Sequence, residues 1–347
     1  MRLFVSEYIC GGGWSGGERP ASLVREGAAM LRAVVRDLLR IPSLHIATTW
    51  DQRLDSILGV DSTSLEVVLV SGPEGERETF ARLCRETDAA YVIAPELDDE
   101  LSTRCRIAHS QSPSCRNCSQ EAIDLCGDKW ALYQHFQRHG IPTIPTQLAI
   151  HSEQVQSQDW PRVLKLRMGA GSQAMQLVSS PTEWDSAVNH YDSTSRATEA
   201  IAQPWVRGVA LSVGVIVDRG GKVHLLPVAD QHIDPQRGFL YLGGRIPSAE
   251  WDRPLDTLLQ EMLSTIPGLV GYFGVDLLIP EAGSRFHGTP LIIEINPRLT
   301  TSYVGYQKLC RDNLAALWLG DEPVQHTLQW EPGGVEFNSA GECRTCS

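Results

Sequence analysis

Leu291–Leu299 reads LIIEINPRL. Ile293 and Ile295 alternate with Glu294 and Asn296, the period-two pattern of a strand with one apolar and one polar face. Upstream, Gly271–Ile279, GYFGVDLLI, is a second apolar strand, and the intervening PEAGSRFHGTP is polar and turn-rich. Paired as an antiparallel hairpin centred near Arg285, the two strands set Asp276 opposite Glu294 on one face. Asp276, Glu294 and Asn296 then form an oxygen-only ligand set. Such a set suits Mg2+ (or Mn2+) better than zinc, because magnesium takes oxygens and shares its shell with substrate phosphates. An acidic sheet edge facing water would carry the same carboxylates, but Arg298, placed just after a proline, favours a functional cluster.

The 347 residues suffice for two or three domains, and a composition 42% apolar and 21% charged is that of a globular chain. A formal net charge of -12 argues against nucleic-acid and acidic-membrane partners, which need basic surface. The start, MRLFVSEYICGGG, lacks a signal-peptide pattern, and no segment approaches the roughly 20 apolar residues of a membrane span. A cytoplasmic protein is expected. Of the nine cysteines, Cys10, Cys84, Cys105, Cys126 and Cys310 stand singly among apolar residues, as buried small hydrophobes do. Cys115 with Cys118 and Cys343 with Cys346 form two CxxC pairs. Together they can supply four thiolates to a structural Zn2+ joining the two ends of the chain, though their separation is far from a compact ribbon spacing. Redox pairing and free thiols are the alternatives.

Along the chain, Arg2–Cys10 reads as a strand entering Gly11–Gly17. That stretch contains GxGxxG, but Glu18, Arg19 and Pro20 precede the helix that opens near Ala21, so a dinucleotide fingerprint is poorly matched. It is expected as a loop lining a crevice at the end of the first strand. Strands at Leu44–Thr48, Val67–Val70 and Ala90–Ile93 complete a small doubly wound α/β domain, with Pro95, Glu96 and Asp98 on its crevice side. Asp128 caps a helix over Lys129–Arg138, placing Lys129 in a first turn from which it can reach a phosphate. Arg162–Leu166 is a strand carrying Lys165. Gly169, Gly171 and Ser172 follow, and then another strand over Ala174–Val178. A glycine hairpin of this kind can close backbone N–H groups over a polyphosphate. Gln203, Trp205 and Val206 lie in a connector whose backbone could pair an adenine edge. Tyr241–Arg245 is read as a second glycine loop, His232 as structural, Tyr303–Trp318 as a last helix, and the polar stretch beyond Gly320 as a loosely held tail.

The ordered set Asp128-Lys129, Lys165 with Gly169–Ser172, Gln203–Ser212, Asp276 and Glu294–Arg298 resembles the ATP-grasp superfamily over roughly 110–319. SEYICGGGW, IAPELD, ADQHID and YLGGRIP look like its branch containing tyramine–glutamate ligase of methanofuran biosynthesis. The resemblance implies a mixed α/β and α+β chain in four parts. An N-terminal α/β (pre-ATP-grasp) domain spans 1–125, a small lid subdomain 126–202, a large subdomain 203–320 and the tail 321–347. It implies ATP bound between the subdomains, with Lys129 and Lys165 on its phosphates, Gly169, Gly171 and Ser172 as a lid, and Gln203, Trp205 and Val206 at the base. Mg2+ would sit on Asp276, Glu294 and Asn296, with Arg298 and Arg245 on the transferring phosphoryl group or the substrate carboxylate. The implied reaction joins a small carboxylate to an amine through an acyl phosphate, giving ADP and phosphate, with glutamate and tyramine or tyrosine as one substrate suggestion. A ligase for another amino acid or natural product, and a nucleotide-binding regulator without catalysis, remain alternatives. The superfamily commonly sets a glutamate on the ribose just after the connector, and Gly208–Leu211 offers none. The oligomeric state is not legible.

Overall fold

The computed structural model describes residues 1–54, 58–149, 160–169, 175–194, 200–320 and 327–346. The chain begins with β1 (Arg2–Glu7), α1 (Ala21–Leu38), β2 (His45–Asp51), β3 (Leu65–Val70), α2 (Pro73–Glu86), β4 (Ala89–Ile93) and α3 (Glu100–Gln111). The four strands form a parallel sheet in the order β3-β2-β1-β4. Alternation along β1 explains why helices cover both faces. Leu3 and Val5 enter one core with Met30, Leu31 and Val34 of α1, while Phe4 enters another with Phe80 and Leu83 of α2. The doubly wound domain expected from the sequence is therefore present.

Next come α4 (Gln120–Gly127) and α5 (Lys129–His139). Asp128 caps α5 as expected, accepting from the N–H groups of Trp130 and Ala131 at 3.0 and 3.1 Å. β5 (Gln147–Leu148), β6 (Arg162–Leu166), β7 (Gln176–Val178), α6 (Pro181–Thr194) and β8 (Ala200–Pro204) follow, the strands forming a small antiparallel sheet in the order β5-β8-β6-β7. Most of the expected glycine hairpin, including Gly171 and Ser172, lies outside the described residues.

β9 (Gly208–Val217), β10 (Val223–Leu225), β11 (Ala229–Asp234), β12 (Leu240–Ile246), α7 (Asp256–Thr265), β13 (Gly271–Pro280), β14 (Leu291–Asn296), α8 (Tyr303–Leu309), α9 (Leu314–Leu319), β15 (Gly334–Asn338) and β16 (Cys343–Cys346) complete the chain. Their strands form the large sheet in the order β14-β13-β9-β11-β12-β15-β16, with β10 beside β9. Helices α8 and α9 pack against α1, tying the N-terminal domain down. Asp37 on α1 accepts from Tyr303 Oη at 2.7 Å, and Trp318 stacks on Tyr91 at 4.5 Å between ring centroids.

Four expectations change. The stretch read as a tail adds β15 and β16 to the large sheet. Tyr241–Arg245 is not a loop but part of β12, and its glycines serve close strand approach. A Cβ on Gly243, where φ is +135°, would lie 1.9 Å from the Phe337 carbonyl oxygen of β15. The single last helix is two, divided where Asn313 caps α9. Gly11–Gly13 form a buried turn packed on Glu7, Thr49, Tyr8 and Arg104 rather than a crevice wall. Among the described residues no helix is long and apolar enough to cross a membrane.

Candidate active site

A cavity of about 790 Å³ opens between the small sheet and the large one. Its floor is the β13–β14 hairpin, whose register pairs Asp276 with Glu294 as the alternation required. Immediately beyond that pair the register slips, Leu277 facing Ile292, so Ile293 is the extra residue of a bulge. Ile293 and Glu294 consequently both line the cavity. Asn296 donates to Asp276 Oδ2 at 2.9 Å, and Gln231 of β11 donates to Asp276 Oδ1 at 2.9 Å. Burial and the adjacent Glu294 push the Asp276 carboxyl up to about 8. For Glu294 burial acts in the same direction, but Lys129, Lys165 and Arg298 outweigh it and hold that carboxyl below its usual range.

Two lysines face this pair. Lys129, in the first turn of α5, lies 3.7 Å from Glu294 and donates to the Gly169 carbonyl at 2.5 Å. Lys165 reaches over from β6 and is only 5% exposed. Burial lowers its ammonium to about 8, with Glu294 opposing the shift and Lys129 adding to it. Arg298 is held by Glu96, which accepts at 2.9 and 3.2 Å, so one acid of the expected crevice loop serves as an anchor for this guanidinium. Arg245 also lines the cavity, and its buried Nε has no partner among the described residues.

At the connector Gln203 is buried and donates to Thr146 Oγ1 at 2.8 Å. The Trp205 N–H is already engaged by the Pro161 carbonyl at 2.9 Å, which removes it as a donor to an adenine edge. Trp205 and Val206 nonetheless both line the cavity. The two CxxC pairs are not brought together, and among the described residues no cluster of three or more Cys, His or acidic side chains could hold a metal ion. Cys118 is buried against the Val270 carbonyl, and burial pushes its thiol up to about 12. Cys343 and Cys346 belong to β16 at the edge of the large sheet. The donor chemistry of Asp276, Glu294 and Asn296, all oxygen, does fit a hard divalent cation.

Several lining residues were not singled out from the sequence, the acids Glu281, Glu336 and Glu26 among them. Glu281 follows β13 beside the connector, its N–H bonded to the Arg207 carbonyl at 3.0 Å. Glu336 comes from β15, within the stretch read as a tail, and Glu26 from α1. None carries a local signature: an acid after a strand or on a helix ordinarily reads as a solvated charge.

Comparison with known proteins now bears on this arrangement. A model described as an ATP-grasp domain matches residues 126–302, and one described as a pre-ATP-grasp 3 domain matches 44–123. The chain belongs to the ATP-grasp family. It is 27% identical over 289 residues to the tyramine–L-glutamate ligase of Methanocaldococcus jannaschii, covering 82% of this chain and 79% of that protein. An ATP-grasp superfamily protein from Archaeoglobus fulgidus superposes with a TM-score of 0.69 at 23% identity, over 97% of this chain and 92% of that one. Biotin carboxylase from Campylobacter jejuni, solved as a complex with β-γ-ATP, gives 0.73 at 17%, over 96% and 74%. At such identities the two solved structures speak for the fold. The ATP-grasp fold with its preceding α/β domain is thus what the sequence led one to expect.

Proposed function

We propose that this chain is an ATP-dependent carboxylate–amine ligase that works through an acyl phosphate and releases ADP and phosphate, with L-glutamate and tyramine as the candidate pair. One observation carries the reading: the hairpin register sets Asp276, Glu294 and Asn296 on a cavity wall directly faced by Lys129 and Lys165. Oxygen ligands beside buried cations are what a polyphosphate and its metal need. The name of the Methanocaldococcus relative supports the choice of substrates.

In this scheme Gln203, Trp205 and Val206 bound the base site, and Glu281 takes the ribose hydroxyls that no residue of 208–211 can take. Lys129 and Lys165 neutralise phosphate oxygens. Asp276, Glu294 and Asn296 would hold Mg2+, which would supply Lewis-acid polarisation of the transferring phosphoryl group. Arg298, fixed by Glu96, and Arg245, whose Nε is uncommitted, orient the phosphoryl group and the acid. An oxygen of the acid attacks the γ-phosphorus in line, and ADP departs. The amine then attacks the acyl carbon and displaces phosphate. No protein nucleophile takes part.

The test is incubation with ATP, Mg2+, L-glutamate and tyramine or tyrosine, followed by mass spectrometry and nucleotide chromatography. ADP with a condensed glutamyl amide is expected. Conversion of ATP to AMP would overturn the acyl-phosphate route.

A further inference from the structure

Glu26 has no part in the scheme above, yet among the described residues it is the one side chain of the N-terminal α/β domain that lines the large cavity. We propose that Glu26 forms the subsite for the primary ammonium group of the acceptor and takes the proton that this group must lose before it can attack. The proposal rests on the ligase reading.

Its placement is built into the fold. Gly27, the next residue of α1, packs directly on the Glu7 carboxylate, where a Cβ would lie 2.5 Å from Oε1. That contact fixes how closely the helix approaches the end of β1, and with it the position of Glu26. Within the cavity the Glu26 charge is felt by Tyr241, which also feels Asp276, and Glu26 itself feels Arg298. It lines the same cavity as Asp276, Glu294 and Arg298, where an acid would be activated. Arg298 and Arg25 favour its charged form through space, but burial outweighs them, and the hydrogen bonds of Arg298 go to Glu96 and to the Leu299 carbonyl rather than to Glu26. The described residues supply no hydrogen bond or ion pair to the Glu26 carboxylate. An acid kept partly buried without a partner is costly, and a cationic ligand offsets that cost where a phosphate or a second carboxylate would add to it. Burial also raises this carboxyl to about 7, so it can receive a proton near neutral pH.

The step balances as follows. The ammonium nitrogen gives one proton to Glu26 and becomes a neutral amine. Its lone pair forms the C–N bond at the acyl carbon, the bond from that carbon to the phosphate oxygen breaks, and its electron pair leaves with phosphate. The second nitrogen proton leaves with the departing phosphate.

Hydroxylamine separates activation from acceptor binding, since it is neutral near pH 7.5 and needs neither an anion nor a base. Wild type and Glu26→Gln are compared with ATP, Mg2+ and L-glutamate, using hydroxylamine or tyramine as acceptor, and their thermal midpoints are recorded. The expected result is hydroxamate formation within about twofold of wild type and kcat/KM for tyramine lower by roughly 100-fold. Should Glu26→Gln not fold, Glu26→Asp carries the test, with hydroxamate retained and KM for tyramine raised. Tyramine turnover within a few-fold of wild type overturns the proposal, and so does equal loss of both reactions in a folded variant. If wild type yields no hydroxamate with any member of a panel of L-amino acids, the ligase reading fails and this proposal with it.

Discussion

Replacing Lys165 with Met should make the protein more stable while abolishing product formation. Lys165 is 5% exposed, and its ammonium is lowered from 10.5 to about 8 even with Glu294 and Asp276 nearby. The folded state therefore binds this proton less tightly than the unfolded chain does. Above about pH 10.5 both states are neutral at this position and there is no penalty. As pH falls from 10.5 towards 8 the unfolded state gains its proton first, and below 8 the full cost of burying the charge is present. That cost is on the order of 3 kcal/mol, since each tenfold change in proton affinity is worth about 1.4 kcal/mol. Urea unfolding in EDTA, which keeps cations from the site, should show Lys165→Met more stable than wild type at pH 7 by that order, with the gap closing by pH 10.5. A variant no more stable at pH 7, or a gap independent of pH, would refute the reasoning. Stability given up for a charged group in a cavity is the expected signature of function.

Glu294→Ala should reduce ADP formation by about 100-fold or more and raise the Mg2+ concentration needed for half-maximal rate, because it removes one of two carboxylates from an oxygen-only set; a coupled ADP assay over a Mg2+ titration checks this. Glu96→Ala leaves Arg298 buried without its partner, and the loss should be about 3–5 kcal/mol in chemical denaturation, whereas the exposed pair Arg82–Glu86 should contribute under about 1 kcal/mol. Glu7 is raised to about 7 by burial, so its contribution to stability is fully present below about pH 4.5 and is lost as pH rises through 7. Glu7→Gln, which keeps an acceptor for the Cys10 N–H, should flatten the stability profile between those values by on the order of 3 kcal/mol.

What the sequence disclosed follows physical periodicity. Strict alternation in LIIEIN and GYFGVDLLI needs no tertiary information to set Asp276 opposite Glu294, and the helix cap Asp128 located Lys129 in a first turn. The same logic failed where long-range contact decides. Gly243 and Gly244 look like a loop until β15 comes within backbone distance, and β15 itself is only five residues, GVEFN, set in a polar stretch and given a partner by β12. Glu26 shares its helix with other polar residues, and only the packing of α1 shows which of them meets the cavity. The CxxC spacing was a correct local observation without a matching fold, since Cys118 is committed to the core.

The bulge at Ile293 also says where this chain can change length. Everything between Pro280 and Leu291 lies beyond the paired residues, and a Cβ on Gly283 or Gly288 would meet nothing within 4 Å. Insertions or deletions near Gly283 should therefore leave the carboxylate pair in place, making this turn a point where lineages can diverge in length or where a reporter peptide can be spliced in. A deletion of one residue between Leu277 and Ile279 would instead double the mismatch already present at Ile293 and strain the pairing of the acids, whereas loss of Ile293 itself would remove the bulge and leave Asp276 opposite Glu294.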